Sequence, residues 1–322
     1  MAGYAVSSAY VSVGGSHIGS KNSHGVVAVA EPDKEITHDD IRRVIEAAKA
    51  VTLPSSQEII HVLPRGFIVD SQEGIADPVG MTGVRLEVDT HLVIGGSTAM
   101  RNVRKCVEEL GVQVDGFVSS GLASAQAALT QTERELGVVL VDIGGGTTDI
   151  ALFVDGALSY SCVIPVGARN ITNDLAIGLR VSLESAEKIK LALSNKKQIL
   201  TDEDDIHDKS KSKDTGDELD IMSLGIPEEL KKISRKTLIE GIIRPRLNEL
   251  FTMVGLEIKK SGFGGMTPSG LVLTGGGAET VGIVEVARRN LAMPVRVGVP
   301  THLSGLIDEI MMPSYAASVG LL

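Results

Sequence analysis

Two spacings of apolar residues alternate along the chain. Short alternating or continuous runs suggest strands, and recurrences every three to four positions suggest helices, so the pattern predicts an α/β fold. "AVSSAYVSVGG" reads as a strand entering a glycine turn. "ITHDDIRRVIEAAKAV" predicts a helix: Thr37 caps a first turn holding Asp39 and Asp40, and Ile41, Val44, Ile45 and Ala48 fall on one face. "EIIHVLPRGFIVD" and "RLEVDTHLVIGG" predict strands around the glycine- and proline-rich connection "EGIADPVGMTGV". Together these segments read as a small inserted strand–helix–strand–strand module.

From Ser97 a helix ("TAMRNVRKCVEELG"), a strand ("VDGFVSS") and one helix ("LASAQAALTQTERELG") lead to a strand–turn–strand, "VVLVDIGGGTTDIALF". A further strand turns through Gly167 into two helices that meet at Val181 and Ser182, where Ser182 can cap the second. Residues 195–226 are polar and mostly acidic, and read as a solvated loop or β-excursion. Asp202, Glu203, Asp204 and Asp205 are adjacent in sequence and lack the spacing of cation ligands. Long helices follow, with a kink or boundary expected near Ile243 and Arg244 because Pro245 has no N–H to donate. The strand "LVLTGGGAE" then enters a helix through glycines, and the chain closes on the helix start "SYAASVGLL".

Composition narrows this picture. The 322 residues suit two domains or one bilobed domain, and 43% hydrophobic with 22% charged residues is ordinary for a globular chain. Aromatics at 3% leave few rings for stacking bases, and a net charge of −10 argues against a nucleic-acid partner. Cys106 and Cys162 lack paired spacing and read as small buried hydrophobes in a reducing compartment. Neither a secretory leader nor an apolar run long enough to span a bilayer is seen, which makes the cytoplasm the expectation.

The two triple-glycine bends carry the chemistry. "GGSHIGSK" fails as a phosphate loop because Ser20 follows Gly19 where a lysine is needed, and Thr280 stands where a dinucleotide fingerprint requires glycine. In "DIGGGTTD", glycines that permit positive φ would leave the amides of Gly144, Gly145, Gly146 and Thr147 free to converge on an anion, with the Thr147 hydroxyl as a further donor. Asp142 makes sense beside phosphate if Mg²⁺ and its waters lie between them. A plain hairpin turn would need only one or two glycines. For Gly275, Gly276 and Gly277, close approach to a purine or ribose and a tight strand–helix packing turn weigh equally.

As a pair, the bends resemble the phosphate and adenosine loops of the actin, sugar-kinase and chaperone ATPase superfamily, which implies ATP bound between two lobes. Glu187 and Lys190, three apart on one helix face, match the Glu-x-x-Lys pair that contacts adenosine in that superfamily, although such spacing is also that of an ordinary ion pair. The inserted module, "GSHI", "QEGIADPVGMTGVR", "IPVGARNITNDLA" and "YAASVGLL" are similar to the bacterial cell-division FtsA family, and the likeness covers nearly the whole chain. It implies an actin-like bilobed fold: subdomain 1A at 1–21, 101–160 and 305–322, the 1C insert at 22–100, 2A at 161–192 and 265–304, and 2B at 193–264. It further implies binding of ATP and Mg, filaments formed through 1C and 2B, contacts with other division proteins, and tethering of FtsZ filaments to the membrane. The FtsZ tail would dock on 2B, where Arg244, Arg246 and Asn248 lie on the matching helix and the arginines suit an acidic peptide.

Three departures from that family are expected to matter. Roughly the first sixty residues of the first lobe, with its phosphate hairpin, have no counterpart here, which should weaken ATP binding and leave a sheet edge open. The chain stops before the family's amphipathic membrane helix, so no direct anchor is expected. Leu122 stands where strongly hydrolysing relatives place Glu or Gln, so no catalytic residue is assigned and binding is expected over turnover. The competing readings are an active ATPase or phosphotransferase of the same fold and a pilus-type actin-like adaptor.

Overall fold

The strands Val138–Ile143 and Thr148–Val154 are buried along their whole length, so both faces of the sheet they form must be covered. In the computed structural model, residues 6–29, 35–194, 217–219, 221, 224–228, 233–301 and 310–322 are described. β1 (Ser8–Val13), β2 (Ile18–Ala28), α1 (His38–Lys49), β3 (Gln57–Val69), β4 (Gln72–Ile75) and β5 (Arg85–Gly96) come first. They are followed by α2 (Ser97–Glu108), β6 (Gln113–Ser119), α3 (Ser120–Ala128), α4 (Gln131–Leu136), β7 (Val138–Ile143), β8 (Thr148–Val154) and β9 (Ala157–Ile164). Next stand α5 (Ala168–Leu179), α6 (Leu183–Ser194), the short β10 (Glu218–Leu219) and β11 (Ile233–Ser234), α7 (Arg235–Leu238) and α8 (Arg244–Ser261). β12 (Leu271–Thr274), α9 (Ile283–Leu291), β13 (Val295–Val297) and α10 (Ala316–Val319) complete the described elements.

The central sheet runs β13-β12-β7-β8-β9, parallel across the first three strands and antiparallel across the rest. Period-2 alternation divides its side chains cleanly. Val139, Val141, Ile143, Ile150, Leu152, Leu271 and Leu273 join Ile171 and Leu175 of α5, Ile189 and Leu193 of α6, and Phe251 of α8 in the main core. Val138, Leu140, Ala151, Phe153 and Val272 face the other way, onto Ala125 and Ala128 of α3. The division expected at residue 160 runs through this sheet, because β7, β8 and β9 pair continuously and β7 also pairs with β12.

The inserted module is a four-stranded antiparallel sheet, order β2-β5-β3-β4, with α1 on one face. Every residue of β2 from Ile18 onward pairs with β5, so the sheet begins ahead of the boundary expected at 22. α1 lies so close to β2 that a Cβ at Gly25 would stand 2.4 Å from the Val44 carbonyl oxygen. Pro64, inside β3, is accommodated by a register shift between Pro64 and Gly66. β1 and β6 form a separate parallel pair.

Three local expectations meet different outcomes. The helix read through "LASAQAALTQTERELG" is two helices, because Thr130 and Glu133 form a capping box that starts α4 afresh. The boundary expected near Ile243 and Arg244 falls there: a π-helical turn, Ile239–Ile243, ends where α8 begins at Arg244, and the Arg244 N–H donates to Ile239, five residues back. The wider turn absorbs the missing donor. The acidic stretch 195–216, with Asp202 to Asp205, lies outside the described residues.

A polar seam joins the insert to β9. His91 is buried with Nδ1 2.7 Å from Asn22 Oδ1 and Nε2 2.9 Å from Ser161 Oγ. Asn22 donates its amide to the Ser159 carbonyl at 3.1 Å, so its Oδ1 can only accept; His91 is therefore protonated on Nδ1 and accepts from Ser161 on Nε2. Ser20 donates to the Ser161 carbonyl at 2.6 Å, and Arg65 Nε donates to Ser159 Oγ at 3.1 Å. Burial, and then the Arg65 charge, depress the His91 imidazole from near 6.5 to about 4.

A histidine depressed by folding contributes stability that is complete above its unfolded value and lost as pH falls toward its folded one. For His91 that window runs from about 6.5 down to about 4. Urea unfolding at pH 7.5 should show His91→Gln to be less stable than wild type by about 1–3 kcal/mol, the cost of disturbing a buried hydrogen-bond network. The gap should narrow steadily as the pH is lowered through that window; a gap independent of pH would contradict the assignment.

Candidate functional site

β7 ends on Asp142 and Ile143, and the chain reverses through Gly144, Gly145, Gly146 and Thr147 into β8. Two bonds from the start of α5 hold this bend: Ala168 N–H donates to the Gly144 carbonyl at 2.9 Å and Arg169 N–H to the Gly145 carbonyl at 2.8 Å. α5 comes this close because residue 167 is glycine; a Cβ there would lie 2.6 Å from both carbonyl oxygens. With the carbonyls occupied on the α5 side, the bend presents its amides elsewhere. Gly144 N–H is spent within the turn, on the Thr147 carbonyl at 2.9 Å, so the four donors expected reduce to three. Among the described residues, Gly145, Gly146 and Thr147 donate their amides to no backbone or side-chain group.

None of the three glycines adopts positive φ, which corrects the reason given for them. Nor do Gly145 and Gly146 answer to crowding: a Cβ on either would meet no atom within 4 Å. The second bend differs. Gly275 has φ 80°, and a Cβ there would fall 2.2 Å from Asp142 Oδ1. At Gly277 it would fall 2.3 Å from Ile143 Cγ2. Gly275 and Gly277 are therefore demanded by packing against the end of β7, whereas Gly276 meets only Ser314, at 3.7 Å. The bend leads into a one-turn 3₁₀ helix, Gly276–Glu279, and α9 starts only at Ile283, so the helix N-terminus expected at the glycines stands elsewhere.

The two bends share one crevice. Gly144, Gly145, Gly146, Gly276 and Gly277 line a cavity of about 660 Å³ whose far wall is α6. A connected recess of about 340 Å³ is bounded by Asp142, Thr147, Asp149, Ser120 and Gly276. Asp142 and Asp149 are direct cross-strand partners on β7 and β8, both buried on the α3 face. Ser124 of α3 donates to Asp142. Burial raises the Asp142 carboxyl, with Ser124 opposing; burial and then Asp142 push Asp149 up to about 7. Asp149 Oδ1 is buried without a hydrogen-bond partner among the described residues. Two buried carboxylates, one with an unsatisfied oxygen, fit a hydrated cation.

Glu187 and Lys190 stand in the α6 wall. Lys190 is buried, and its ammonium donates to Glu187 at 2.8 Å, Thr172 Oγ1 at 3.0 Å and the Ala168 carbonyl at 3.4 Å. Thr172 in turn donates to Glu187 at 2.5 Å. Burial works against the Glu187 charge, but the bonds from Lys190 and Thr172 outweigh it and hold the carboxyl below its ordinary range. This is more than a surface pair: Ala168 also anchors the first bend, so one network ties α6 to it.

Arg244, Arg246 and Asn248 lie on α8, away from the crevice walls. Arg246 makes a bidentate bond to Asp174 of α5, at 2.6 and 2.9 Å, and pairs with Glu249. Arg244 lies 2.9 Å from Glu240 and 3.7 Å from Glu285. Asn248 accepts from Asn290 at 2.9 Å.

Sequence reasoning overlooked Asp149, Ser124, Thr172 and Arg169 as site residues. Asp149 was legible: a hairpin centred on the Gly144–Thr147 turn sets it opposite Asp142. The others belong to helices whose placement only the fold reveals.

A crevice lined by two glycine bends at the ends of adjacent parallel strands, over a five-stranded mixed sheet, defines a protein of the actin-like ATPase fold. Solved structures agree. The chain superposes on the PilM–PilN type IV pilus biogenesis complex with TM-score 0.59 and 15% identity, covering 94% of this chain and 75% of that one. It superposes on MreB5 of Spiroplasma citri bound to ADP with TM-score 0.51 and 19% identity, covering 70% and 64%.

The sequence is more specific than the fold. The family described as "Cell division protein FtsA" matches residues 139–320, and the "SHS2 domain inserted in FTSA" matches residues 15–94. Cell division protein FtsA of Pseudomonas aeruginosa is 42% identical over 322 residues, spanning 100% of this chain and 73% of that protein. FtsA of Bacillus subtilis is 38% identical over 322 residues (100% and 69%), and that of Escherichia coli K12 35% over 329 residues (100% and 74%). The chain belongs to the FtsA family of cell division proteins. No helix among the described residues is long and apolar enough to cross a membrane.

The glycines separate by substitution. Gly277→Val drives a side chain into Ile143 and should cost about 2 kcal/mol or more, read as a lowered Tm. The double substitution Gly145→Ala, Gly146→Ala should stay within about 0.5 kcal/mol of wild type. Equal losses in the two proteins would show that the first bend is bare for internal reasons.

Proposed function

We propose that this chain binds ATP with Mg²⁺ between the two glycine bends, self-assembles, and links FtsZ filaments to the cytoplasmic membrane at the septum. One observation carries the nucleotide half. Gly145 and Gly146 lack side chains although neither conformation nor crowding requires it, their amides are unspent among the described residues, and both line the same cavity as Gly276. Bare backbone that the fold itself does not need is a place reserved for something from outside. The ADP held by MreB5 of Spiroplasma citri, on the same fold, supports this reading.

On this reading the phosphates lie on the amides of Gly145, Gly146 and Thr147 and on the Thr147 hydroxyl. The adenosine lies between Gly276 and α6, where Glu187 accepts from sugar hydroxyls. Asp142 and Asp149 would hold the hydrated Mg²⁺, which when bound neutralises phosphate charge. Leu122, at the start of α3, packs against the apolar cluster that includes Ala125 and Leu140. On this reading the chain binds nucleotide, and an active ATPase or phosphotransferase of the same fold stays as the alternative. For the subdomains, 1C is best begun at Ile18, and 2A is best extended to take in Val138–Ile164.

The FtsZ half rests on family membership. An acidic FtsZ tail meeting α8 would exchange with the exposed carboxylates now paired with the arginines, Glu240 and Glu249, while Asn248 offers an amide beside them. Filament contacts through 1C and 2B, and contacts with other division proteins, belong to the same reading.

Calorimetric titration with Mg·ATP should give saturable one-site binding. The Gly145→Ala, Gly146→Ala protein, at unchanged Tm, should bind at least about tenfold more weakly, since each tenfold is about 1.4 kcal/mol and one lost charge-assisted bond to phosphate suffices. No binding by wild type, or equal binding by the variant, would refute the nucleotide assignment. Separately, fluorescence anisotropy of a labelled FtsZ C-terminal peptide should show weaker binding to Arg244→Glu, with the variant's Tm as a check on folding. Undiminished affinity would remove α8 as the docking helix.

A further inference from the structure

The crevice wall carries charges of unequal availability. Lys190, the cation that the helix spacing singles out, has its ammonium enclosed by Glu187, Thr172 and the Ala168 carbonyl. An ammonium has three hydrogens, and these three acceptors use them. It has none left for a ligand. The other charged residues of the wall are Glu184, Glu187 and Glu279, which repel an anion, and Arg169.

Arg169 differs from Lys190 in each respect. Its side chain is exposed and lines the same cavity as the first bend. No carboxylate lies within ion-pair distance of its guanidinium among the described residues, whereas Arg244, Arg246, Arg289 and Arg296 are all paired. Its backbone is fixed by the 2.8 Å bond from its N–H to the Gly145 carbonyl, which sets its Cα beside the bend whose amides are unspent. Its charge also reaches Glu187, contributing to the lowered carboxyl there.

Building on the nucleotide reading of the crevice, we infer that Arg169 is the side chain that grips the phosphate chain, and that Lys190 is a positioning residue that never touches it. The guanidinium fork meets two phosphate oxygens at once, a match an ammonium cannot make. The amides of Gly145, Gly146 and Thr147 meet the phosphates from below, and Arg169 closes on them from the α5 side. Lys190 holds Glu187 and the start of α5 in place, so its loss acts through geometry and falls on every ligand of the site alike.

The test compares Mg·ATP, Mg·ADP and adenosine, titrated by calorimetry into wild type, Arg169→Gln, Arg169→Lys and Lys190→Met. Arg169→Gln should weaken ATP and ADP at least about tenfold while adenosine affinity moves less than about twofold, and Arg169→Lys should recover part of the loss. Lys190→Met should weaken all three ligands by a similar factor. ATP affinity unchanged in Arg169→Gln, or ATP and adenosine reduced equally by it, overturns the inference while leaving the nucleotide reading standing. Failure of wild type to bind any of the three overturns that reading instead.

Discussion

Two backbone hydrogen bonds, from Ala168 to the Gly144 carbonyl and from Arg169 to the Gly145 carbonyl, set the polarity of the first bend. A tight turn has amides on one side and carbonyls on the other. By capturing the carbonyls, the start of α5 leaves the amides turned away from it, unspent. The same two residues serve both ends of the crevice, since the Ala168 carbonyl accepts from Lys190 and the Arg169 side chain enters the cavity. The first bend and the α6 wall are thereby parts of one hydrogen-bonded unit. Gly167 is what permits it, because any side chain there would hold α5 off the bend.

The central sheet supplies the second requirement. Strict alternation along β7 sends Val139, Val141 and Ile143 to one core and Val138 and Leu140 to the other. Continued by one position, the same alternation carries Asp142 to the α3 face, where Ser124 meets it, and the hairpin register carries Asp149 beside it. Two carboxyls end up buried together because the strand pattern that buries Leu140 leaves them no other side. Their raised proton affinities follow from that enforced company.

Much of this was legible from residues alone, and the reasons are local. An apolar run ending in aspartate and three glycines names a strand and a bend, and Thr37 and Ser182 announce the helix starts they cap. What escaped was whatever depended on distance through space. Gly275, Gly276 and Gly277 look alike in sequence, yet two of them are bare because Asp142 and Ile143 crowd them and the third faces open space. The boundary at 160 came with the family resemblance, whereas strand pairing across more than a hundred residues decides which segments share a sheet. Thr172 and Arg169 sit on a helix whose periodicity told of its buried face and nothing of its neighbours.

The seam between the insert and β9 carries a polar network, Ser20, Asn22, Arg65 and His91 against Ser159 and Ser161, beside apolar packing by Leu63 and Val163. Hydroxyls, an amide, a guanidinium and an imidazole lose little when water takes the place of their protein partners. If the halves were drawn apart here, they would bare wettable groups together with the apolar side chains of Leu63 and Val163. Directional bonds at such a joint fix the placement of the insert against β9 more narrowly than apolar contact alone would.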